Sequence, residues 1–340
     1  MALIELKGLS TVFGPKPAQA LAQVRAGMDK TTLLAKTGHN LALQDVNLLI
    51  EAGEIFVIMG LSGSGKSTLV RHINRLIDPT AGQVLIDGQD VTALSIAQLI
   101  ALRRERLAMV FQRFGLLAHR TVLDNVALGL EMRGVPAAHR RVEALRWIER
   151  VGLAGTEALY PSQLSGGMQQ RVGLARALCA DTDIILMDEA FSALDPLIRS
   201  QLQGDLLALQ ADFHKTIVFI THDLDEALRI GSRVAILNEG RVAQVGTPSE
   251  VMTRPADDYV ASFVRDVNRA RAWRVANVLV PWPANVPQPQ LTEAVDEDTK
   301  LEQVLPQLIA RKTPLAVRRG NAIVGQVAMD TVRELLAPPA

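Results

Sequence analysis

Residues 60–68, Gly60-Leu61-Ser62-Gly63-Ser64-Gly65-Lys66-Ser67-Thr68, set glycines, hydroxyls and one lysine between an apolar strand-like run (55–59) and a helix-like run (69–76). Glycines at such a turn let the backbone fold tightly enough for several N–H groups and a helix N-terminus to converge on one anion. The spacing is that of a phosphate-binding loop, in which Lys66 reaches the β- and γ-phosphates of a nucleotide and Ser67 ligates Mg²⁺. Average residue frequencies would produce this pattern by accident in roughly one chain in a hundred of this length. The strand and helix flanks make an accident rarer still.

A second group of reactive residues follows the apolar run 184–187, which ends in Asp188 and Glu189. Two carboxylates where a buried strand leaves the core can divide the work. Asp188 can hold Mg²⁺ through water, and Glu189 can act as general base on an attacking water. Alone, an acidic pair at a strand end is as readily a solvated one; together with a phosphate loop, the catalytic reading prevails. Residues 164–171, Leu164-Ser165-Gly166-Gly167-Met168-Gln169-Gln170-Arg171, form another glycine-rich turn that opens a helix-like run. Its backbone N–H groups and the Ser165 hydroxyl can cradle a second anion.

These groups must be positioned by an α/β core. From about 41 to 265 the sequence alternates strand-like and helix-like runs, and the uninterrupted Val/Ile stretches at 54–59, 184–187, 216–220 and 234–237 predict a mainly parallel sheet covered by helices. Val84 to Gly88 followed by Gln89 to Val91 predicts a hairpin and with it a small antiparallel sheet. Between about 116 and 164 the pattern turns helical, most clearly at 140–149, which predicts a helical subdomain. Residues 15–40 insert two short Ala/Leu-rich helical patterns between the first strand and the next. The expected boundaries are a nucleotide-binding domain at 1–268, a stiff linker at 269–290 carrying Pro281, Pro283, Pro287 and Pro289, and a small α/β unit at 291–340.

Composition narrows the class. The 340 residues are 48% hydrophobic and 21% charged, and Lys+Arg and Asp+Glu balance at 36 each, so nothing global calls for nucleic acid or an anionic surface. The single Cys179 follows a helix-like run and is expected to be a reduced, buried thiol, which points to the cytosol. No uncharged apolar stretch approaches the ~20 residues that span a bilayer. Any membrane work would need partner subunits to supply the spans.

In this order and spacing, residues 4–264 resemble an ATP-binding cassette (ABC) ATPase. The resemblance implies a P-loop NTPase fold, ATP and Mg²⁺ as ligands, and two copies of the chain sandwiching two ATP molecules. The phosphate loop would then supply Gly60, Ser62, Gly63, Ser64, Gly65, Lys66, Ser67 and Thr68. Ser165, Gly166, Gly167 and Gln169 would face the nucleotide held by the other copy. The resemblance further implies that Gln112 senses Mg²⁺ and the water, and that Asp195, in Ser192-Ala193-Leu194-Asp195, belongs to the segment coupling the two sites. His222 would contact the γ-phosphate and Phe13 would stack on adenine, with Ser67, Gln112 and Asp188 around the metal. A lone Gln, His or Phe would carry none of these roles; their order and spacing do. The other histidines, including His72 and His119, read as structural or solvated.

One cassette without spans is the build of an importer subunit, which would lie peripherally at the cytoplasmic face of the inner membrane and work with permease subunits and a substrate-binding protein. Residues 114–125 are similar to the importer pattern, with Ala118 in place of its usual proline. The insert 15–40, the wording at 54–63 and the wording at 187–198 resemble the glycine betaine/proline (quaternary amine) uptake ATPases. The resemblance implies uptake of a quaternary amine osmolyte, glycine betaine, proline betaine or choline; a histidine or proline importer of the same family is the alternative, since the ATPase chain does not touch the solute. A soluble ABC ATPase acting on nucleic acid or ribosomes is the alternative of another class; the long coiled-coil insertions, tandem cassettes and basic segments of such proteins do not occur in this sequence. The tail resembles a single cystathionine-β-synthase-type (CBS) motif, for which a regulatory unit and a plain stabilising appendage are both open.

Overall fold

The computed structural model describes residues 2–111, 115–192, 194–265, 273–283, 287, 289–311 and 313–336. Two antiparallel strands, β1 (Ala2–Phe13) and β2 (Asn40–Glu51), are joined through two short helices, α1 (Pro17–Arg25) and α2 (Lys30–Thr37). Proline at the start of α1, the Asp29 carboxylate accepting from the Thr32 N–H at 2.9 Å, and Gly38 at φ 71° set the ends of these helices. Ala20, Leu21, Val24 and Leu33 pack on Val12 and Leu41 of the strands, so the insert closes a small core of its own.

The chain continues through β3 (Ile55–Met59), α3 (Lys66–Ile73), β4 (Ala81–Ile86) and β5 (Gln89–Asp90). The last two form the expected hairpin, with Leu85 opposite Asp90 and Ile86 opposite Gln89, and complete a sheet of order β2-β1-β4-β5. Next come α4 (Ile96–Arg106), β6 (Leu107–Val110), α5 (Val122–Met132), α6 (Ala137–Arg150) and α7 (Gly166–Cys179). They are followed by β7 (Ile184–Asp188), α8 (Pro196–Phe213), β8 (Thr216–Thr221), α9 (Leu224–Ile230), β9 (Arg233–Asn238) and β10 (Arg241–Gly246). The main sheet has the order β10-β9-β3-β8-β7-β6, and the pairs from β9 through β6 are parallel. Every residue of β3, β7 and β8 is buried, because helices cover both faces of a parallel sheet and leave no face to alternate toward water.

Register then decides where the chemistry falls. Met59 pairs with Thr221 and Ile220 with Asp188, so β3, β8 and β7 end level, and the loops that leave them begin at Gly60, His222 and Glu189. The carboxyl ends of neighbouring parallel strands are where open α/β sheets bind ligands. Helix α7 packs on α5 and α6 and also on β6, which carries the helical subdomain past residue 164 and joins it to the sheet.

Contacts divide the chain into two compact units, 1–223 with 230–245 and 224–229 with 246–340, so α9 groups with the tail and the division runs elsewhere than at 268. The second unit contains α10 (Pro248–Thr253), α11 (Asp258–Val264), β11 (Val295–Asp296), α12 (Leu301–Arg311), β12 (Leu315–Arg319), β13 (Ala322–Val327) and α13 (Met329–Leu336). Its sheet has the order β11-β12-β13, parallel then antiparallel. Pro281, Pro283, Pro287 and Pro289 lie outside helix and strand. Inside this unit the Lys300 ammonium donates to the carbonyls of Leu228 and Arg229, at 3.2 and 2.6 Å, placing a positive charge at the negative end of α9. Among the described residues no helix is long and apolar enough to cross a membrane.

Candidate functional site

The loop after β3 depends on glycine at two points. Gly60 has φ 150°, and a Cβ there would lie 2.3 Å from the Leu237 carbonyl oxygen; at Gly65, with φ 101°, it would lie 2.6 Å from that of Ala42. Side chains at either place would push the loop away from the strands that shape it. Helix α3 starts directly at Lys66, whose ammonium donates to the carbonyls of Gly60 and Leu61 at 2.8 and 2.9 Å. Burial draws the lysine below its ordinary value, against the pull of Glu189 and Asp188. The ammonium is thus held inside the loop by two of the loop's own carbonyls.

The end of β7 meets this loop from the side. Asp188 is 4% exposed, accepts a hydrogen bond from the Ser67 hydroxyl at 2.9 Å, and has Arg71 of α3 at 3.6 Å. One residue on, Glu189 adopts φ 47°, a left-handed conformation unusual for a residue with a Cβ, and its N–H donates to the Ile220 carbonyl at 3.2 Å. Its Oε1 stands 3.6 Å from His222 Nδ1, the half-exposed imidazole that follows β8. Strain of this kind persists where the surrounding structure over-determines it, and it turns the carboxylate back toward the loop.

Phe13 and Asn40 face each other in the β1–β2 register and line the same cleft as Ala42, Lys66, Ser67 and Glu189. Ser62, Gly63, Gly65 and Thr68 complete the lining, and Phe13 remains 40% exposed there. Ser64 is instead buried behind the loop.

Ser165 caps α7 by accepting from the Met168 N–H at 3.3 Å, and the Gln169 amide donates back to the carbonyls of Pro161 and Leu164. Neither these residues nor Gly166 and Gly167 belong to the cleft lining. Asp195 caps α8 through the Ile198 N–H at 3.0 Å. Gln112 lies outside the described residues. The lone thiol of Cys179 is buried and pushed up to about 12, which leaves it without nucleophilic character.

Sequence reasoning missed Asn40, Ala42 and Arg71. Arg71 stands four residues after Ser67, a spacing that shares one helix face and could have flagged it. Asn40 carries no such signal, because only strand register sets it opposite Phe13. The donors suit a hard cation: the Ser67 hydroxyl and the Asp188 carboxylate already touch, and Mg²⁺ is held by one or two such groups plus substrate phosphates.

A glycine loop that opens a helix at the end of a buried parallel strand, with carboxylates at the end of a neighbouring strand, defines a P-loop nucleoside triphosphatase. Comparison with known proteins narrows that class. A family model described as "ABC transporter" matches residues 43–192. The sequence is 48% identical to the glycine betaine/proline betaine transport system ATP-binding protein ProV of Salmonella typhimurium (strain LT2), over 98% of this chain and 82% of ProV. It is 44% identical to the glycine betaine/carnitine transport ATP-binding protein GbuA of Listeria monocytogenes serotype 1/2a (strain 10403S), over 99% of this chain and 83% of GbuA. Among solved structures, the ATP-binding cassette MJ0796 in a dimeric post-hydrolysis state, bound to ADP and Pi, superposes with a TM-score of 0.61 at 34% identity. That match covers 72% of this chain and 97% of MJ0796. The chain belongs to the family of ABC transporter ATP-binding subunits, ATPases whose hydrolysis is coupled to transport.

Proposed function

We propose that this chain powers import of a quaternary amine osmolyte such as glycine betaine or proline betaine, as two copies bound to separate permease subunits and served by a substrate-binding protein. The relatives of this substrate class that match nearly the whole chain support the solute, and the absence of a membrane-spanning helix among the described residues supports separate permease subunits. The working location would be the cytoplasmic face of the inner membrane. The observation that carries the catalytic reading is the convergence of Lys66, Ser67, Asp188, Glu189 and His222 at the level ends of three parallel strands.

In this reading Lys66 leaves the Gly60 and Leu61 carbonyls for the β- and γ-phosphates, and Phe13 stacks on the base. Ser67, Asp188 and Gln112 would hold Mg²⁺, which would supply positive charge against the phosphates. Glu189 takes a proton from the water that attacks the γ-phosphorus while the bond to the ADP oxygen breaks, and His222 holds the departing phosphate group. Ser165, Gly166, Gly167 and Gln169 act on the nucleotide of the other copy, with Asp195 at the seam. An open turn at 164–167, away from its own chain's cleft, is what that arrangement requires. The permease contact belongs at an apolar groove of about 350 Å³ between α4, α5 and α7, where Ile100, Leu128 and Met132 meet Arg103 and Arg104. The tail, with its strand, helix, strand, strand, helix order, serves as a CBS-like regulatory unit.

The test is ATP-dependent uptake of labelled glycine betaine, choline, proline and histidine in cells carrying this chain with its permease and binding protein, with Glu189→Gln as the inactive control. Betaine uptake that disappears in the control is expected. Uptake of histidine or proline alone would overturn the solute while leaving the importer mechanism.

A further inference from the structure

The Arg199 guanidinium, one turn into α8, makes two contacts that join separate parts of the site. Nη1 donates to Asp223 Oδ2 at 3.2 Å, and Nη2 donates to the Leu194 carbonyl at 3.2 Å. Asp223 directly follows His222, and its own N–H donates to the Thr221 hydroxyl at 3.0 Å, so both its backbone and its carboxylate are fixed. Leu194 precedes the cap of α8, and its N–H donates to the Phe191 carbonyl at 3.3 Å; Ser192, next to Phe191, donates both its N–H and its hydroxyl to the Glu189 carbonyl. With His222 Nδ1 standing 3.6 Å from Glu189 Oε1, contacts and chain neighbours run in a ring: Glu189, Ser192, Phe191, Leu194, Arg199, Asp223, His222 and back to Glu189.

The same helical turn also touches the second glycine-rich motif. A Cβ built on Gly167 would stand 3.1 Å from Ile198 Cγ2, so Ile198 packs against the bare backbone of that turn. Ile198 and Arg199 therefore place the first turn of α8 between the Ser165–Gly167 region on one side and the His222 loop on the other. A planar guanidinium suits such a bridge because its fork aims two nitrogens at separate partners; a lysine ammonium must serve both from a single nitrogen.

We propose that Arg199 is a positioning residue for ATP hydrolysis: by holding Asp223 and the Leu194 carbonyl together, it sets His222 at its distance from Glu189 and makes that distance depend on where the start of α8 lies. The inference rests on the reading of His222 as part of the hydrolytic site. Because Arg199 does not line the nucleotide cleft, its loss should act on the chemical step and spare nucleotide affinity.

The test compares ATPase kinetics of full-length Arg199→Ala, Arg199→Lys, Asp223→Asn and His222→Ala with the Arg199→Ala/His222→Ala double variant, each checked for an unchanged Tm. Arg199→Ala is expected to lower kcat by about 10-fold or more, with KM for ATP within about twofold, because small misplacements of catalytic groups cost rate and not ground-state binding. Arg199→Lys should recover part of that loss, and Asp223→Asn should resemble Arg199→Ala. In the His222→Ala background the Arg199→Ala loss should vanish. Multiplying losses in the double variant, or a raised KM with kcat intact, would overturn the positioning role; a His222→Ala chain as fast as wild type would instead overturn the catalytic reading of His222. If Arg199→Ala unfolds, the Asp223→Asn/His222→Ala pair supplies the same cycle.

Discussion

Glu189 carries backbone strain and proton chemistry on one residue, and two substitutions separate them. Its φ of 47° costs a residue with a Cβ about 1–2 kcal/mol relative to glycine. Glu189→Gly removes that cost but gives the unfolded chain extra freedom worth about 0.4–1 kcal/mol. It also removes the carboxylate's pull on Lys66 and its 3.6 Å approach to His222, charge contacts that Glu189→Gln loses as well, so the strain is read between the two variants. The net expectation is a Glu189→Gly chain more stable than Glu189→Gln by about 0.5 kcal/mol, equivalent to a Tm higher by roughly 1–2 °C for a unit of this size. Glu189→Gln keeps the strain and the shape but cannot accept a proton, so it is the reference for the strain. Both variants lack the base, and phosphate release should fall by at least ~10²-fold in each, about 2.7 kcal/mol on the barrier. Lys66 is untouched in both, so ATP should still bind. Thermal melts with and without ATP, together with single-turnover phosphate release, read the two effects independently. A Glu189→Gly chain that melts below Glu189→Gln would refute the strain argument, and a Glu189→Gln chain that hydrolyses ATP at the wild-type rate would remove Glu189 from the chemistry.

Two further outcomes follow from the geometry. His72 is buried, with its Nδ1–H donated to the Ile77 carbonyl and its Nε2 accepting from the Thr11 hydroxyl, both at 2.7 Å, and burial holds it below its ordinary value of 6.5. The folded chain then resists a proton that the unfolded chain takes up, so this residue's contribution is complete above about pH 6.5 and is lost as pH falls below it. Melting curves at about pH 7.5 and about pH 5.5 should show a larger drop for the wild type than for His72→Gln; equal drops would contradict the assignment. Gly60→Ala forces a Cβ to within 2.3 Å of the Leu237 carbonyl oxygen, so the loop must shift. Added ATP should raise the Tm of the wild type and leave that of the variant unmoved.

Much of the site was legible because its residues are neighbours in sequence. The phosphate loop is contiguous, and its glycines are demanded by backbone angles that the structure confirms at Gly60 and Gly65. The parallel sheet was legible in the unbroken apolar runs now seen as β3, β7 and β8, and the hairpin in the turn residues at Asp87 and Gly88. The insert's two helices appear within the span expected for them, at Pro17–Arg25 and Lys30–Thr37.

What the sequence determined by itself was therefore local: which segments are strands, where the backbone must turn, and which residue types are available for phosphate, metal and proton. Strand register and helix packing decided the rest. Only pairing of β3, β8 and β7 brings Gly60, His222 and Glu189 to one level, only the β1–β2 register sets Asn40 beside Phe13, and only the approach of α8 gives Arg199 its two partners. The physical reason is that a hydrophobic pattern specifies which face of an element is buried but not what it is buried against. Contacts between residues far apart in the chain, such as Ser67 with Asp188, exist once the core has closed around them.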